Sequence, residues 1–212
     1  MLKLPTESDR PTVVILADGD YPTGRVAAAL LRNARRVVCC DGAAARFLAE
    51  GGEPWAIAGD GDSLPEALAE RYAPILRREA EQDTNDLSKA VRFSLNEGER
   101  RLVILGATGR REDHTLGNIS LLADYMAAGA EVRMVTDYGV FDPIAGEAVF
   151  ESRAGQQISI FTPDPATAIS GKGLKYPLPP HLKNWWCGTL NEATGAEFTL
   201  RIAGWGIVYR LF

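Results

Sequence analysis

The residues of this chain best placed to do chemistry are aspartates in short turns that follow apolar stretches. Asp60 and Asp62 lie two positions apart, directly after residues 55–58. In an extended backbone, residues two apart point to the same side at a spacing of roughly 6.5 Å, so both carboxylates could face one ligand. Two like charges that close favour a bound cation, and oxygen ligands suit Mg²⁺ and the phosphates that travel with it.

Similar turns recur along the chain. Asp41 follows the apolar run 37–40, Asp83 and Asp86 follow a weaker run at 75–79, and Asp113 comes after a glycine-rich loop. Each turn alone has a structural explanation, since an aspartate often caps a helix or favours its first turn. Their repetition after successive apolar runs instead predicts one shared site.

The elements that must position these turns follow from apolar periodicity. Continuous β-branched runs predict buried strands at residues 12–17, 36–40, 55–58, 101–105 and 131–136, with a weaker strand at 75–79. Segments rich in helix formers lie between them. This alternation predicts parallel β-α units with right-handed crossovers, whose ligands bind at the carboxyl ends of the strands.

The pattern changes near residue 138. Short β-type segments separated by Gly and Pro turns follow, at 139–142, 147–151, 157–161, 166–170, 197–202 and 207–212. We therefore predict the α/β class: a three-layer, parallel-sheet nucleotide-binding domain over residues 1–138, then an all-β sandwich domain over residues 139–212. Trp185 and Trp186 are predicted to lie in the core of the second domain.

Composition argues against several classes of protein. A formal charge of −5 and a pI near 5.2 disfavour binding to nucleic acid or to a membrane surface. The first ten residues lack the apolar core of a signal peptide, and no apolar run approaches the ~20 residues of a membrane helix. With no Cys-x-x-Cys spacing either, a cytoplasmic protein is expected.

An acidic site for nucleotide has a clear physical logic. A triphosphate carries about four negative charges, so aspartates can approach it only with divalent ions between them. Gly106 and Gly109 would let backbone amides reach phosphate oxygens, and Arg110 or Arg111 could supply a fork-shaped donor. The loop is neither a Walker loop nor a full dinucleotide-binding fingerprint.

Together these motifs resemble those of the thiamine pyrophosphokinase (thiamine diphosphokinase) family. The similarity runs from about Asp41 to the C terminus in ordered blocks: Asp41-Gly42-Ala43, Gly59-Asp60-x-Asp62-Ser63, Asp83-x-x-Asp86-Leu87-x-Lys89-Ala90, Gly106-Ala107-x-Gly109-x-Arg111-x-Asp113-His114-x-x-x-Asn118, Gly173-Leu174-Lys175 and Thr189-x-Asn191-Glu192. Several blocks in order are far more specific than any one of them.

The resemblance implies a reaction and its participants. It implies transfer of the diphosphate of ATP to the hydroxyl of thiamine, which releases AMP, with Mg²⁺ as the metal. It also implies a homodimer that holds thiamine where two subunits meet.

By position, the resemblance also implies roles for individual residues. The catalytic residues would be Asp62, Asp86 and Asp113, and the metal ligands Asp60, Asp62, Asp83, Asp86 and Asp113. Contacts to ATP would come from Asp41, Gly106, Thr108, Gly109, Arg111, His114 and Asn118, and contacts to thiamine from Thr189, Asn191 and Tyr176. Two residues depart from the family pattern, because Arg110 stands where a glycine is usual and Leu190 where a serine is frequent.

Two other classes of function fit the same residues. One is another Mg²⁺-dependent enzyme of phosphates, such as a nucleotide-sugar transferase that uses Asp60 and Asp62, or a diphosphate hydrolase. The other is a non-enzymatic sensor of nucleotide or vitamin. A hydrolase turns nucleotide over without thiamine, whereas a sensor binds without turnover.

Overall fold

The computed structural model describes residues 1–212 and shows a mixed α/β fold with one large sheet. The helices are α1 (Arg25–Asn33), α2 (Asp41–Ala49), α3 (Glu66–Arg71), α4 (Asp86–Asn96) and α5 (Glu112–Ala127), with short 3-10 helices at Ala73–Ile75 and Trp185–Gly188. The strands are β1 (Val13–Leu16), β2 (Arg36–Cys40), β3 (Ala56–Gly59), β4 (Leu76–Arg78), β5 (Arg101–Leu105), β6 (Glu131–Val135), β7 (Gly139–Glu151), β8 (Gln157–Phe161), β9 (Ile169–Lys172), β10 (Asn191–Glu192) and β11 (Glu197–Leu211).

The first six strands form a parallel sheet, as the alternation of strands and helices predicts. Their order is β6-β5-β1-β2-β3-β4, and every neighbouring pair is parallel. The central strand β1 has no exposed surface, which explains why Val13–Leu16 is apolar at every position. Because the strands are parallel, their carboxyl ends all lie at one edge of the sheet.

Helices cover both faces of this parallel sheet. Side chains of α4 and α5 pack with Val13, Ile15 and Val38 on one face. On the other face, α1 and α2 pack with Val14 and Leu16. The strand residues alternate between the two clusters because successive side chains point to opposite faces.

The C-terminal half is antiparallel and has its own apolar core, which includes the stacked pair Phe150 and Phe198. It is joined to the parallel half by hydrogen bonding, because β7 pairs antiparallel with β6. The prediction of separate short segments was wrong in two places. Segments 139–142 and 147–151 are one strand, β7, and the last two segments are one strand, β11, with an irregularity between Ile202 and Trp205.

Two tryptophans do not lie where the sequence predicted. Trp185 and Trp186 are 54% and 60% exposed, so the expectation that they belong to the core was wrong. They form a short 3-10 helix, and the ring centroids of Trp185 and Phe161 are 5.9 Å apart. None of the helices combines the length and apolar character needed to span a bilayer.

Candidate active site

A polar cavity of about 320 Å³ opens at the carboxyl edge of the parallel sheet. It is formed by the loops after β1, β2 and β5, with the starts of α4 and α5 and part of the turn after β3. Its lining residues are Ala17, Asp18, Gly19, Cys40, Asp41, Gly42, Ser63, Asn85, Asp86, Leu87, Ala107, Gly109, Arg110, Arg111, His114 and Asn118. The predicted location at this edge of the sheet agrees with the cavity.

Asp41 is the buried centre of the acidic side of this cavity. It begins α2 directly after β2 and is 1% exposed. Its carboxylate accepts hydrogen bonds from the backbone N–H groups of Gly42 at 2.7 Å and Gly61 at 3.0 Å. A Cβ on Gly59 would lie 2.7 Å from the Asp41 carboxyl carbon, so glycine is needed where β3 ends. Asp41 therefore fixes the turn that carries Asp60.

Among the carboxyl groups here, Asp86 is the one whose pKa is raised by its environment. Burial, followed by the nearby charge of Asp41, raises the pKa of Asp86 to about 6, and Asp60 adds to the effect. Lys89 opposes it, with its Nζ 3.4 Å from Asp86 Oδ1 and only 2% of its side chain exposed. Three carboxylates therefore act on one another here, partly offset by one buried ammonium group.

The turn after β3 favours the ionised form of Asp60. The backbone N–H of Asp62 donates to Asp60 Oδ1 at 3.0 Å, and Gln82 donates to Oδ2 at 3.3 Å. These two hydrogen bonds lower the pKa of Asp60. Asp60 thus remains a carboxylate beside Asp86.

The loop that leads into α4 is held by a network outside the cavity. Glu81 accepts the backbone N–H groups of Asp83 at 2.9 Å and Thr84 at 3.0 Å. Arg92 of α4 donates to Glu81 at 2.8 Å and also binds Glu79. The guanidinium group therefore ties the first part of this loop to the helix that follows it.

The N-cap of α4 is Asn85. Its Oδ1 accepts the backbone N–H of Ser88 at 3.0 Å, so an asparagine caps this helix and neither Asp83 nor Asp86 does. Asn85 also donates to Asn118 at 3.0 Å, and Asn118 donates to the carbonyl of Ala107 at 2.9 Å. These bonds connect the loop before α4 with the glycine-rich loop across the cavity.

The glycine-rich loop after β5 packs closely on the loop after β1. The backbone N–H of Gly19 donates to Gly106 O at 2.6 Å, and that of Asp20 donates to Thr108 O at 2.8 Å. Gly106 and Thr108 therefore hold the neighbouring loop and do not line the cavity, in contrast to their predicted contacts with ATP. A Cβ on Gly109 would overlap the Asp20 carboxylate, so this approach requires glycine.

Five predicted ATP-binding residues do line the cavity: Asp41, Gly109, Arg111, His114 and Asn118. They come from α2, the glycine-rich loop and the first two turns of α5. Asn118 is held by the hydrogen bonds described above, whereas Arg111 and His114 are exposed. Arg111 and His114 thus add basic side chains to a lining that also contains Asp41 and Asp86.

The five aspartates predicted to bind metal are not gathered into one cluster. Only Asp86 lines the cavity, because Asp60, Asp62, Asp83 and Asp113 all lie outside its lining, and the last three are exposed. Asp113 instead forms an ion pair with Arg111 at 2.6 Å, a contact between near neighbours at the start of α5. The structure contains no group of three or more His, Cys, Asp or Glu side chains arranged to hold a metal ion together.

Sequence reasoning missed one charged residue of the cavity, Asp18, and named Arg110 only as a possible donor to phosphate. Asp18 follows β1, and Arg110 forms an ion pair with it at 2.9 Å. A signal for Asp18 was present, because Asp-Gly-Asp occurs at both 18–20 and 60–62 and each copy follows an apolar run. No feature of the sequence indicated that Arg110 would form an ion pair with Asp18.

The predicted thiamine-binding residues lie together in part. Asn191 is 5% exposed, and its side chain accepts the backbone N–H of Tyr176 at 3.2 Å and donates to its carbonyl at 2.8 Å. Asn191 therefore fixes the segment that carries Tyr176, whose ring is 52% exposed. Thr189 donates to the carbonyl of Trp186 at 2.8 Å. None of the three lines the polar cavity.

The two departures from the family pattern share an unusual backbone conformation. Arg110 has φ +56° and Leu190 has φ +58°, and they are the only residues other than glycine with positive φ. This region costs an ordinary side chain about 1 kcal/mol or more. For Arg110 the conformation agrees with the glycine that is usual at this position in the family.

A second cavity, of about 590 Å³, lies between α5 and the antiparallel half. Leu116 and Ile119 of α5 form one side, and Phe161, Trp185 and Trp205 belong to the other. It is mainly apolar, in contrast to the cavity that contains Asp86. Trp185, which is about half exposed to solvent, thus contributes to this apolar lining.

Comparisons with known proteins agree along most of the chain. The family model described as thiamin pyrophosphokinase, catalytic domain, matches residues 27–134, and the one described as thiamin pyrophosphokinase, substrate-binding domain, matches residues 139–209. The crystal structure of thiamine pyrophosphokinase from Bacillus subtilis shares the fold, with a TM-score of 0.77 at 24% identity. That similarity covers 94% of this chain and 98% of the other.

Two curated relatives are similar in sequence. Thiamine pyrophosphokinase from Bacillus subtilis is 33% identical over 129 residues, and thiamine pyrophosphokinase 1 from Oryza sativa subsp. japonica is 33% identical over 138 residues. The alignments cover 57% and 53% of this chain and 59% and 52% of the relatives, a little over half of each length. Because the two family models together match both halves, the chain belongs to the thiamin pyrophosphokinase family.

Proposed function

We propose that this protein transfers the diphosphate of ATP to the hydroxyl of thiamine, giving thiamine diphosphate and AMP. The main support is the cavity at the carboxyl edge of the sheet, whose lining combines Asp41 and Asp86 with Arg111 and His114. Acidic and basic side chains around one cavity suit a polyphosphate that arrives with a divalent cation. Both halves of the chain also match domains of a family named for this reaction.

The proposal includes Mg²⁺, and the carboxylates at the cavity suit it. Asp60 and Asp86 are oxygen donors close enough for Asp60 to raise the pKa of Asp86, and a bound cation would relieve that repulsion. We propose these two as the principal ligands, with Asp62, Asp83 and Asp113 able to approach from their exposed turns. When bound, Mg²⁺ neutralises charge on the phosphates.

The chain's own residues would position the reactants. Asn118 and the glycine-rich loop would contact ATP, and Arg111 would donate to its phosphates after exchanging Asp113 for them. The thiamine hydroxyl oxygen then attacks the β-phosphorus, the bond from that phosphorus to the α,β-bridging oxygen breaks, and AMP leaves. Asp86 or Asp62 would orient the hydroxyl and accept its proton, so positioning and electrostatics supply most of the acceleration.

The two halves would divide the work between them. We propose that residues 1–138 form a three-layer domain that binds ATP, and that residues 139–212 form a sandwich domain that binds thiamine through Thr189, Asn191 and Tyr176. The match of residues 139–209 to a substrate-binding domain supports this division. We also propose a homodimer in the cytoplasm, with thiamine held between subunits.

A single set of incubations distinguishes the candidate functions. Purified protein is incubated with ATP and Mg²⁺, with and without thiamine, and the products are separated by chromatography. We expect AMP and thiamine diphosphate in equal amounts, and only when thiamine is present. AMP or ADP formed without thiamine would instead indicate a diphosphate hydrolase, and binding of ATP without products would indicate a sensor.

A further inference from the structure

Arg110 lines the polar cavity and contacts the neighbouring loop after β1. Its Nη1 is 2.9 Å from Asp18 Oδ1, and both side chains line the cavity. Both are also about half exposed, at 50% and 45%. Asp18 lies outside the residues matched by the catalytic-domain family model, because that match begins at residue 27.

The backbone of Arg110 is held in a conformation that arginine does not favour. Its φ of +56° follows Gly109, whose φ is +80°, and the loop is fixed by the hydrogen bonds that Gly106 and Thr108 accept from the loop after β1. A positive φ costs an ordinary residue about 1 kcal/mol or more, and such strain is concentrated at functional sites. Glycine would remove this cost, so the arginine side chain needs another explanation.

The pair with Asp18 does not supply that explanation by itself. An ion pair between half-exposed side chains contributes about 0–1 kcal/mol, because water screens the charges and two long side chains lose freedom. A polyphosphate carries more charge than a carboxylate and matches the planar guanidinium fork in geometry. Exchange of Asp18 for phosphate at Arg110 would therefore be favourable.

The order of the strands places Asp18 where it can hold Arg110 close to the phosphate position. Strand β1 lies between β5, which leads to Arg110, and β2, which leads to Asp41. The loop that carries Asp18 therefore lies between the loop that carries Arg110 and the start of α2 at Asp41. We propose that Arg110 binds the polyphosphate of the nucleotide, and that Asp18 pairs with the guanidinium group in the free protein and is displaced by phosphate when the nucleotide binds.

This inference rests on the proposed function for its ligand, an ATP-like polyphosphate. The test measures the affinity of the full chain for a non-hydrolysable ATP analogue with Mg²⁺ and for adenosine, by calorimetry. Arg110→Ala and Arg110→Gly should both weaken binding of the analogue by about fivefold to fiftyfold, the loss of one charge-assisted hydrogen bond at a part-exposed site. Binding of adenosine should change by less than about twofold.

Two further variants serve as comparisons. Arg110→Lys should retain part of the affinity, and Arg153→Ala, which removes an exposed arginine after β7, should leave it unchanged. Arg110→Gly keeps the loop conformation without strain, so a loss of affinity in this variant cannot be attributed to misfolding. Analogue affinity within about twofold of wild type in both Arg110→Ala and Arg110→Gly would overturn the proposal.

Asp18→Asn tests the second part. Removal of the competing carboxylate should tighten binding of the analogue by about twofold to fivefold, and this gain should disappear when Arg110 is alanine. Equal weakening by Asp18→Asn in both backgrounds would overturn the role assigned to Asp18. Because binding requires no turnover, a protein that binds the analogue through Arg110 but makes no thiamine diphosphate would refute the proposed function alone.

Discussion

At Asp86 the chain keeps a carboxyl group part-buried beside two others, an arrangement that costs stability. Burial and Asp41 raise its pKa to about 6, although Lys89 lies 3.4 Å away and opposes the shift. The cation and the phosphates that we propose for the cavity would explain why a carboxylate is present in this unfavourable environment. We therefore expect substitution of Asp86 to raise the stability of the ligand-free protein and to lower its activity.

The first prediction concerns pH. Because the folded state binds the Asp86 proton more tightly than the unfolded chain does, this residue stabilises the fold fully below about pH 4, and the contribution is lost as pH rises through about 6. From about pH 4 to 8, the metal-free wild type should lose about 1–2 kcal/mol relative to Asp86→Asn, allowing for solvent screening. Urea denaturation measures this difference, and parallel stability curves for the two proteins would contradict it.

Single residues show where sequence reasoning succeeds and where it stops. Asp41, Asp60 and Asp86 were predicted to converge because each follows a strand of a parallel sheet, and topology brings such positions to one edge. Asp113 also follows such a strand, yet it pairs with Arg111. Its direction depends on a rotamer and a local ion pair, which spacing along the chain does not determine.

At the scale of elements, the loop from Glu79 to Asp86 depends on a residue outside it. Arg92, one and a half turns into α4, binds Glu79 and Glu81, and Glu81 accepts the backbone N–H groups of Asp83 and Thr84. The loop contains no regular structure of its own, so this network fixes its path. Correct placement of Asp83 therefore depends on Arg92.

Arg92→Met should reduce activity more than stability. We expect kcat/KM for diphosphate transfer to fall about tenfold to a hundredfold, because the loop beside Asp86 loses its charge-assisted hydrogen bonds. Arg92→Lys should restore only part of the activity, since an ammonium group cannot reproduce the fork. Arg32→Met, which changes an exposed arginine of α1, is the control and should leave kcat/KM unchanged. Wild-type activity in Arg92→Met would show that the network does not position the loop.

The regular elements were predictable because their periodicity is local. The strands of the parallel sheet follow from apolar runs within a few residues of their observed bounds, and helices lie between them as predicted. The continuity of the long strands β7 and β11 was not predictable, because Gly146 and Gly204 interrupt the β pattern. Continuity there depends on pairing between strands about sixty residues apart, which one local segment does not reveal.

At the scale of the whole molecule, a buried ion pair ties the two halves to the N-terminal segment. Arg210 of β11 is fully buried and donates to Asp142 of β7 at 2.6 Å and to the carbonyl of Leu2 at 3.0 Å. Arg133 of β6 binds the other oxygen of Asp142, also at 2.6 Å. Burial lowers the pKa of Arg210. The network thus connects the parallel and antiparallel parts of the sheet.

Arg210→Met should destabilise the protein by about 3 kcal/mol, because Asp142 keeps a buried charge with one partner fewer. The free energy of unfolding in urea measures the loss. Arg201→Met is a matched control on the same strand, exposed to solvent, and should change stability by less than about 0.5 kcal/mol. If the two variants were equally stable, the buried pair would not hold the two halves together.

The most direct test of the central claim follows the bond that breaks. ATP labelled with heavy oxygen at the bridge between the α- and β-phosphorus is incubated with the protein, Mg²⁺ and thiamine, and the products are analysed by mass spectrometry. Attack of thiamine at the β-phosphorus leaves the label entirely in AMP, with unlabelled thiamine diphosphate in equal amount. Labelled ADP with thiamine monophosphate, or AMP without the label, would contradict transfer of the diphosphate at this site.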